Sequence, residues 1–171
     1  LRNHSYIDFL GEEAHNTCFI REEQPSQKPD DEQLLPYVAQ ELAKHPKKLF
    51  IVLHMYGSHF NYRDRYSRAN AQFLPDEPTE AKVENRPQLI NAYDNTILHT
   101  DYILARLISM LRAKNCIAAL LYTSDHGENI FDDKRHLFLH ASPRPSEYDT
   151  DVPLLVWTSQ QYGQHYPDVV N

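Results

Sequence analysis

Several features that this sequence lacks narrow its function before any motif is considered. No stretch of its 171 residues is dense in lysine and arginine, and the formal net charge is −7. Because nucleic-acid-binding proteins usually present a basic face, we expect no nucleic-acid partner. No apolar run approaches the ~20 residues needed to cross a bilayer, and no signal peptide is visible.

Cysteine is also scarce. Cys18 and Cys116 are the only two, they lie far apart and they form no CxxC pattern. The two cysteines could form one disulfide, or each could be a buried thiol, and the sequence does not decide between these alternatives. Because the chain opens with Leu1 rather than methionine, we expect a piece of a longer protein, with any export signal or membrane anchor upstream. What is present, 41% hydrophobic and 24% charged residues, suits one soluble globular domain.

The apolar patterns predict an α/β fold. Residues 36–45 favour a helix, and residues 87–112 favour a long helix because apolar side chains recur at three- and four-residue steps. Short apolar runs predict strands that are buried on both faces; these runs are residues 48–55, 116–122 and 152–157. A strand, a long helix and a strand in succession are typical of a crossover unit with parallel strands. The polar segment 56–86 reads as a long loop, which in a compact domain is usually functional.

Polar side chains follow two of the predicted strands. His54 ends the first, with His59 shortly after, and Asp125 and His126 follow the second. Open α/β sheets bind ligands at the carboxyl ends of their strands, so we expect these groups to converge on one rim. Aspartate and neutral histidine are suitable ligands for zinc or another divalent metal. Gly127 would let the chain turn sharply away from the pocket.

Each of these signals also has a simpler interpretation. Two ligands are too few for a catalytic zinc, which needs ~3 from the protein, and Asp-His-Gly alone fits a capped turn with a hydrogen-bonded histidine. His140 fits a surface histidine or a group that folds back over the rim. The aromatic and basic residues of the segment 60–66 fit an anion site or a solvated loop. The other histidines are expected to be structural or solvated: His4, His15, His45, His99, His136 and His165.

Several segments together resemble the phosphoethanolamine transferases, the lipid A-modifying branch of the alkaline phosphatase and sulfatase superfamily. The matching stretches are SYIDFLGEEA (5–14), VLHMYGSHFNYRDRY (52–66), NAYDNTILHTDYIL (91–104), YTSDHGENI (122–130), LFLHASP (137–143) and TDVPLLVW (150–157). Asp-His-Gly belongs to the whole superfamily, whereas Tyr93, Asp94, Asn95 and Tyr102, with the Gly-Ser-His turn, point to this branch. The resemblance implies an alkaline phosphatase-like sandwich with a mostly parallel central sheet covered by helices. Residues 1–171 would be the C-terminal part of a single catalytic domain of that kind.

The resemblance also implies roles for individual residues. Asp125 and His126 match two ligands of the active-site zinc. His59 and His140 match histidines that lie around the phosphoryl group or an additional zinc, where they would bind phosphate oxygens or protonate the leaving group. Glu128 matches an acidic residue close to that site. The family transfers phosphoethanolamine from phosphatidylethanolamine to lipid A through a covalent phospho-threonine, at the periplasmic face of the bacterial inner membrane.

The chain departs from the family in ways that limit these expectations. The nucleophilic threonine and a carboxylate ligand precede all these motifs in the family, and no threonine of this chain occupies a matching position. We therefore expect the isolated chain to be inactive, with the nucleophile and the membrane anchor outside it. Phe60, Asn61 and Ala141 also replace family residues. The alternatives are a sulfatase or another phosphohydrolase of the superfamily and, in a different class, a non-catalytic structural fragment.

Overall fold

The chain folds into helices and short strands around one long helix. A computed structural model describes residue 11 and residues 13–20, 30–140 and 142–170; His4, most of the stretch 5–14 and Ala141 lie outside these. The helices are α1 (Leu34–Ala43), α2 (Arg86–Ala113), α3 (Glu147–Thr150), α4 (Gln160–His165) and α5 (Pro167–Val170). The strands are β1 (Ala119–Thr123), β2 (Asn129–Ile130), β3 (Phe138–Leu139) and β4 (Leu154–Thr158). In the described ranges, no helix combines the length and hydrophobicity that crossing a bilayer requires.

Helix α2 carries the two hydrophobic cores, and both helix predictions are confirmed. Pro87 lies in its first turn, where a missing N–H breaks no hydrogen bond. The C-terminal half of α2 packs against α1 and the inner face of β1; the buried residues there are Leu35, Val38, Ile103, Leu104 and Leu107. The N-terminal half packs against the segment 56–86 and the β2–β3 hairpin through Tyr62, Leu89, Ala92 and Ile130. This second core lies beneath the polar residues singled out above.

The β1–β4 sheet differs from the predicted one. The two strands pair antiparallel, with Leu121 opposite Val156, and not as part of a parallel crossover unit. Side chains alternate between the faces of a strand, so Leu120 packs on the core while Leu121 is 67% exposed. The prediction that these strands are buried on both faces is therefore wrong within the described residues, because only one face meets α2.

Residues 48–55 do not form the predicted first strand. No strand is assigned there, and Phe50 is 90% exposed, although Leu53 and Met55 pack on the core beside α2. Among the described strands β1 pairs with β4 alone, so this segment has no partner for a backbone ladder. Its composition predicts burial correctly only for the side chains that reach α2.

The segment 56–86 is an ordered part of the core rather than a solvated loop. The side-chain oxygen of Asn95 on α2 accepts hydrogen bonds from the backbone N–H groups of Gln72 and Phe73, at 2.8 and 3.0 Å. The Tyr66 hydroxyl donates to Asp76 at 2.8 Å. Burial and this hydrogen bond raise the pKa of Tyr66 to about 12. One buried asparagine thus fixes the middle of the segment on the long helix.

The arginines of this segment have partners within the chain. Arg63 lies 3.3 Å from the carboxylate of Asp76. Arg65 donates from Nε to the His59 carbonyl at 2.9 Å and lies over the Tyr56 ring. Neither interaction resembles an open anion site. The cysteines also differ from both expectations, since Cys18 and Cys116 are exposed thiols and form no disulfide.

Candidate metal centre

The β2–β3 hairpin places Glu128 and His140 beside each other. Asn129 pairs with Leu139 in an antiparallel register, so the residue before β2 and the residue after β3 meet at the open end. The Nδ1 atom of His140 lies 3.2 Å from Oε1 of Glu128. Because an ionised carboxylate can only accept a hydrogen bond, His140 donates from Nδ1 and keeps Nε2 available.

A buried polar network fixes this hairpin. The Asn129 amide donates to Asp149 at 2.7 Å and accepts from the Ser146 hydroxyl at 2.6 Å. Ser146 and Asp149 form the capping box of helix α3. Desolvation by burial works to raise the pKa of Asp149, but hydrogen bonds from Ser146 and Asn129 outweigh it and hold that pKa below its ordinary value. The carboxylate therefore stays ionised, and the position of Glu128 is set from its neighbour Asn129.

His126 lies against His140, with ring centroids 3.7 Å apart. Its Nδ1 is 2.9 Å from the Gly127 carbonyl oxygen, a contact in which the imidazole must donate. Its Nε2 is therefore the nitrogen with a free lone pair. Oδ2 of Asp125 lies 3.8 Å from that Nε2, although the Asp125 side chain is 79% exposed. Asp125 and His126 thus present their ligand atoms on the same side.

Gly127 has a role other than the predicted one. Among the described glycines the positive φ belongs to Gly57, at 54°, in the Gly-Ser-His turn. At Gly127 the constraint is a close approach, because a Cβ there would lie 2.0 Å from the backbone oxygen of Tyr148. The Gly127 N–H donates to the Asp149 carbonyl at 2.8 Å. The glycine lets the Asp-His strand end pack directly onto α3.

His126, Glu128 and His140 form the group best suited to a metal in the described part of the chain. One ligand atom from each lies within 4.8 Å of the other two. Two imidazoles and a carboxylate are a donor set of catalytic zinc sites, where ligand atoms around a tetrahedral ion are about 3.4 Å apart. Small side-chain movements would close these residues on one ion. The Glu128 side chain is 5% exposed, and His140 is its ionic partner within the described ranges, so a bound cation would stabilise its charge.

Three of the five predicted site residues therefore come together. Asp125 adjoins the group through His126, while His59 stands outside it, exposed, with Nδ1 2.5 Å from the Phe60 carbonyl oxygen. His54, at the end of the strand that does not form, is also exposed. The individual roles assigned to these side chains stay predictions.

Sequence reasoning missed Tyr62. Its hydroxyl donates to Oε2 of Glu128 across 66 positions of the chain, and its ring is buried in the core beneath the hairpin. The sequence signal was limited to its place in an aromatic run. Nothing in the local pattern points to a partner so distant.

The comparisons with known proteins fit this geometry. The sulfatase family matches residues 2–171. The chain belongs to the sulfatase family. Within this family it is 35% identical over 165 residues to the Kdo(2)-lipid A phosphoethanolamine 7''-transferase of Salmonella typhimurium. The matched region covers 94% of this chain and 27% of that protein. The resemblance to phosphoethanolamine transferases is therefore confirmed.

Solved structures of sulfatase-family relatives have the same fold. The C-terminal periplasmic domain of EptC from Escherichia coli, in complex with Zn, superposes with a TM-score of 0.73 at 29% identity, over 83% of this chain and 41% of that one. A second match is the integral membrane protein EptA from Neisseria meningitidis, a lipooligosaccharide phosphoethanolamine transferase. It superposes with a TM-score of 0.73 at 32% identity, over 79% of this chain and 26% of that one. The predicted fold class is confirmed. The chain spans about a quarter of the length of its curated relatives.

Proposed function

We propose that this chain is part of a phosphoethanolamine transferase that moves phosphoethanolamine from phosphatidylethanolamine to lipid A with the help of zinc. One observation carries the proposal: His126, Glu128 and His140 are grouped at the end of a buried hairpin, in a chain whose relatives are named for this reaction. The reaction would take place at the periplasmic face of the bacterial inner membrane.

The residues of the group have distinct tasks in this proposal. A bound zinc would neutralise charge on phosphoryl oxygens and lower the pKa of a nucleophile. Asp125 and His126 would hold it through Oδ2 and Nε2, which lie 3.8 Å apart. His140, oriented by Glu128 through Nδ1, would present the lone pair of Nε2 to the same ion as a further ligand. His59 would bind a phosphate oxygen from the turn at Gly57.

The covalent step needs a residue outside these motifs. In the proposed reaction a threonine attacks the phosphodiester, and no threonine here matches the family nucleophile. We therefore propose that the chain in isolation transfers nothing, and that it contributes metal-binding and phosphate-binding groups to a larger catalytic domain.

The bare face of the β1–β4 sheet supports this domain assignment. Leu121, Leu154 and Val156 are exposed on the face away from α2. Apolar sheet faces in α/β proteins are normally covered by a second layer. The EptC domain is matched over only 41% of its length, and we propose that the corresponding remainder of the same domain covers this face.

An assay of the full-length protein that contains this chain tests the function. With labelled phosphatidylethanolamine and lipid A, we expect transfer of phosphoethanolamine that is lost in the His126→Ala variant and kept in the His165→Ala variant, because His165 is an exposed histidine on α4. Hydrolysis of a sulfate ester without transfer would favour a sulfatase. Inactivity on both substrates, together with no bound zinc, would favour a structural fragment.

A further inference from the structure

Tyr62 begins the 3₁₀ helix Tyr62–Asp64 and is 0% exposed. Its ring meets Phe60 and Tyr93 edge to face, at centroid distances of 5.3 and 5.2 Å. In this packing the Tyr62 hydroxyl donates to Oε2 of Glu128. A buried hydroxyl needs such a partner, but Tyr62 could have been phenylalanine if its only task were to fill the core.

The two oxygens of Glu128 have different partners. Oε2 accepts from Tyr62, while Oε1 lies 3.2 Å from Nδ1 of His140. A glutamate side chain has several rotatable bonds and loses rotamer entropy when it is held in one orientation. A hydrogen bond at one oxygen fixes the direction of the other.

The direction of this hydrogen bond follows from its two groups. An ionised carboxylate has no hydrogen to donate, so the Tyr62 hydroxyl is the donor and Glu128 the acceptor.

We propose that Tyr62 is a positioning residue of the metal centre, whose hydroxyl holds Glu128 so that the carboxylate faces His126 and His140. The inference rests on the proposed metal-dependent function. Partners that orient metal ligands from outside the ligand shell typically contribute 10–100-fold to metal affinity. Tyr62 also lies three residues after His59, so the same contact joins the Gly-Ser-His segment to the hairpin.

The competing interpretation is that Tyr62 is only a core residue. Tyr62→Phe removes the hydroxyl and keeps the ring. Tyr66→Phe is a matched control, because Tyr66 is also a buried tyrosine whose hydroxyl donates to a carboxylate, that of Asp76, outside the metal group. Zinc dissociation constants of both variants, and the visible spectrum of the Co²⁺-substituted proteins, are compared with those of the unsubstituted protein, with near-UV circular dichroism as a check of folding.

We expect zinc to bind Tyr62→Phe about 10–100-fold more weakly, with an altered Co²⁺ spectrum, and Tyr66→Phe to bind as the unsubstituted protein does. In a Glu128→Gln background, Tyr62→Phe should cause no further loss, because the residue acts through Glu128. An equal loss in both backgrounds, or no loss from Tyr62→Phe, overturns the role of Tyr62 alone.

A second variant decides the matter if Tyr62→Phe does not fold. Glu128→Asp keeps the charge but is one methylene too short to meet both Tyr62 and His140, so we expect a comparable loss of zinc affinity. Retained affinity in that variant contradicts the positioning role. If the unsubstituted protein binds no zinc, the proposed metal centre is wrong, and the role of Tyr62 falls with it.

Discussion

His126 and His140 lie face against face, with ring centroids 3.7 Å apart and planes tilted by 33°. The contact depends on two local structures: the strand end after β1, which supplies His126, and the β2–β3 hairpin, which returns His140 to it. A histidine must be neutral to bind a metal. Two imidazole rings with a carboxylate beside them therefore favour cation binding over a purely structural role.

The close packing at Gly127 predicts that Gly127→Ala is destabilising. A Cβ would lie 2.0 Å from the Tyr148 carbonyl oxygen, so the backbone of α3 or of the Asp-His segment must move. We expect a loss of about 1–3 kcal/mol in the free energy of unfolding, measured in urea. Gly163→Ala, in α4 with nothing near its Cβ, is the control and should be neutral or stabilising. Equal stability of the two variants would refute the close-approach account.

The hydrogen bonds of Asn95 predict that this side chain anchors the segment 56–86 to helix α2. In Asn95→Ala the N–H groups of Gln72 and Phe73 lose their acceptor, and we expect about 2–4 kcal/mol of destabilisation in urea unfolding. Asn91→Ala on the same helix removes one exposed hydrogen bond to Pro75 and should cost under about 1 kcal/mol. If both substitutions cost the same, the segment is not anchored by Asn95.

The ion pair between His99 and Asp30 predicts a pH-dependent stability. Oδ1 of Asp30 lies 2.9 Å from Nε2 of His99, and this hydrogen bond raises the pKa of His99 above its ordinary value and lowers that of Asp30. The histidine contribution is complete below the unfolded pKa of about 6.5 and is lost as pH rises through the raised value. The aspartate contribution is lost as pH falls through its lowered value.

The stability difference between the unsubstituted protein and His99→Gln should therefore be larger at pH 5.5 than at pH 8.5, by urea unfolding at both. His165→Gln serves as the control at an exposed position. A difference that grows with pH would contradict the charged pair and show instead that His99 is buried neutral.

Because Leu120 and Leu121 lie on different faces of β1, we expect their substitutions to change the free energy of unfolding by very different amounts. Leu120 packs on the core beside α2, so Leu120→Ala should cost about 2–4 kcal/mol in the isolated chain. Leu121 is exposed on the other face, and Leu121→Thr should change the free energy of unfolding of the isolated chain by under about 0.5 kcal/mol. In the full-length protein the Leu121 substitution should become destabilising, if the remainder of the domain covers this face. An unchanged full-length protein would contradict that coverage.

The sequence predicted those parts of the molecule that depend on local patterns. A sustained apolar repeat predicts helix α2. Asp125 and His126 are predicted as site residues because polar side chains abruptly follow a run of apolar ones. The grouping of His126 with Glu128 and His140 was implied by a family resemblance. In the structure it depends on the Asn129–Leu139 pair, which is too short to show as alternation.

The rest depends on partners distant in sequence. Residues 48–55 are as apolar as a buried strand, but composition does not supply a neighbouring strand to pair with. β1 and β4 pair antiparallel because of the path that the chain takes through α3, which no periodicity encodes. The role of Tyr62 is not predictable from local sequence for the same reason, because its hydroxyl bonds to Glu128, 66 positions away.

Zinc titration and elemental analysis of the full-length protein that contains this chain, and of its variants, decide whether the proposed metal centre exists. We expect zinc in the unsubstituted protein, loss of the metal in His126→Ala and Asp125→Ala, and retention in His59→Ala and His165→Ala, with a smaller effect for His140→Ala. Unchanged zinc stoichiometry in His126→Ala and Asp125→Ala would contradict the metal centre on which the proposed function depends.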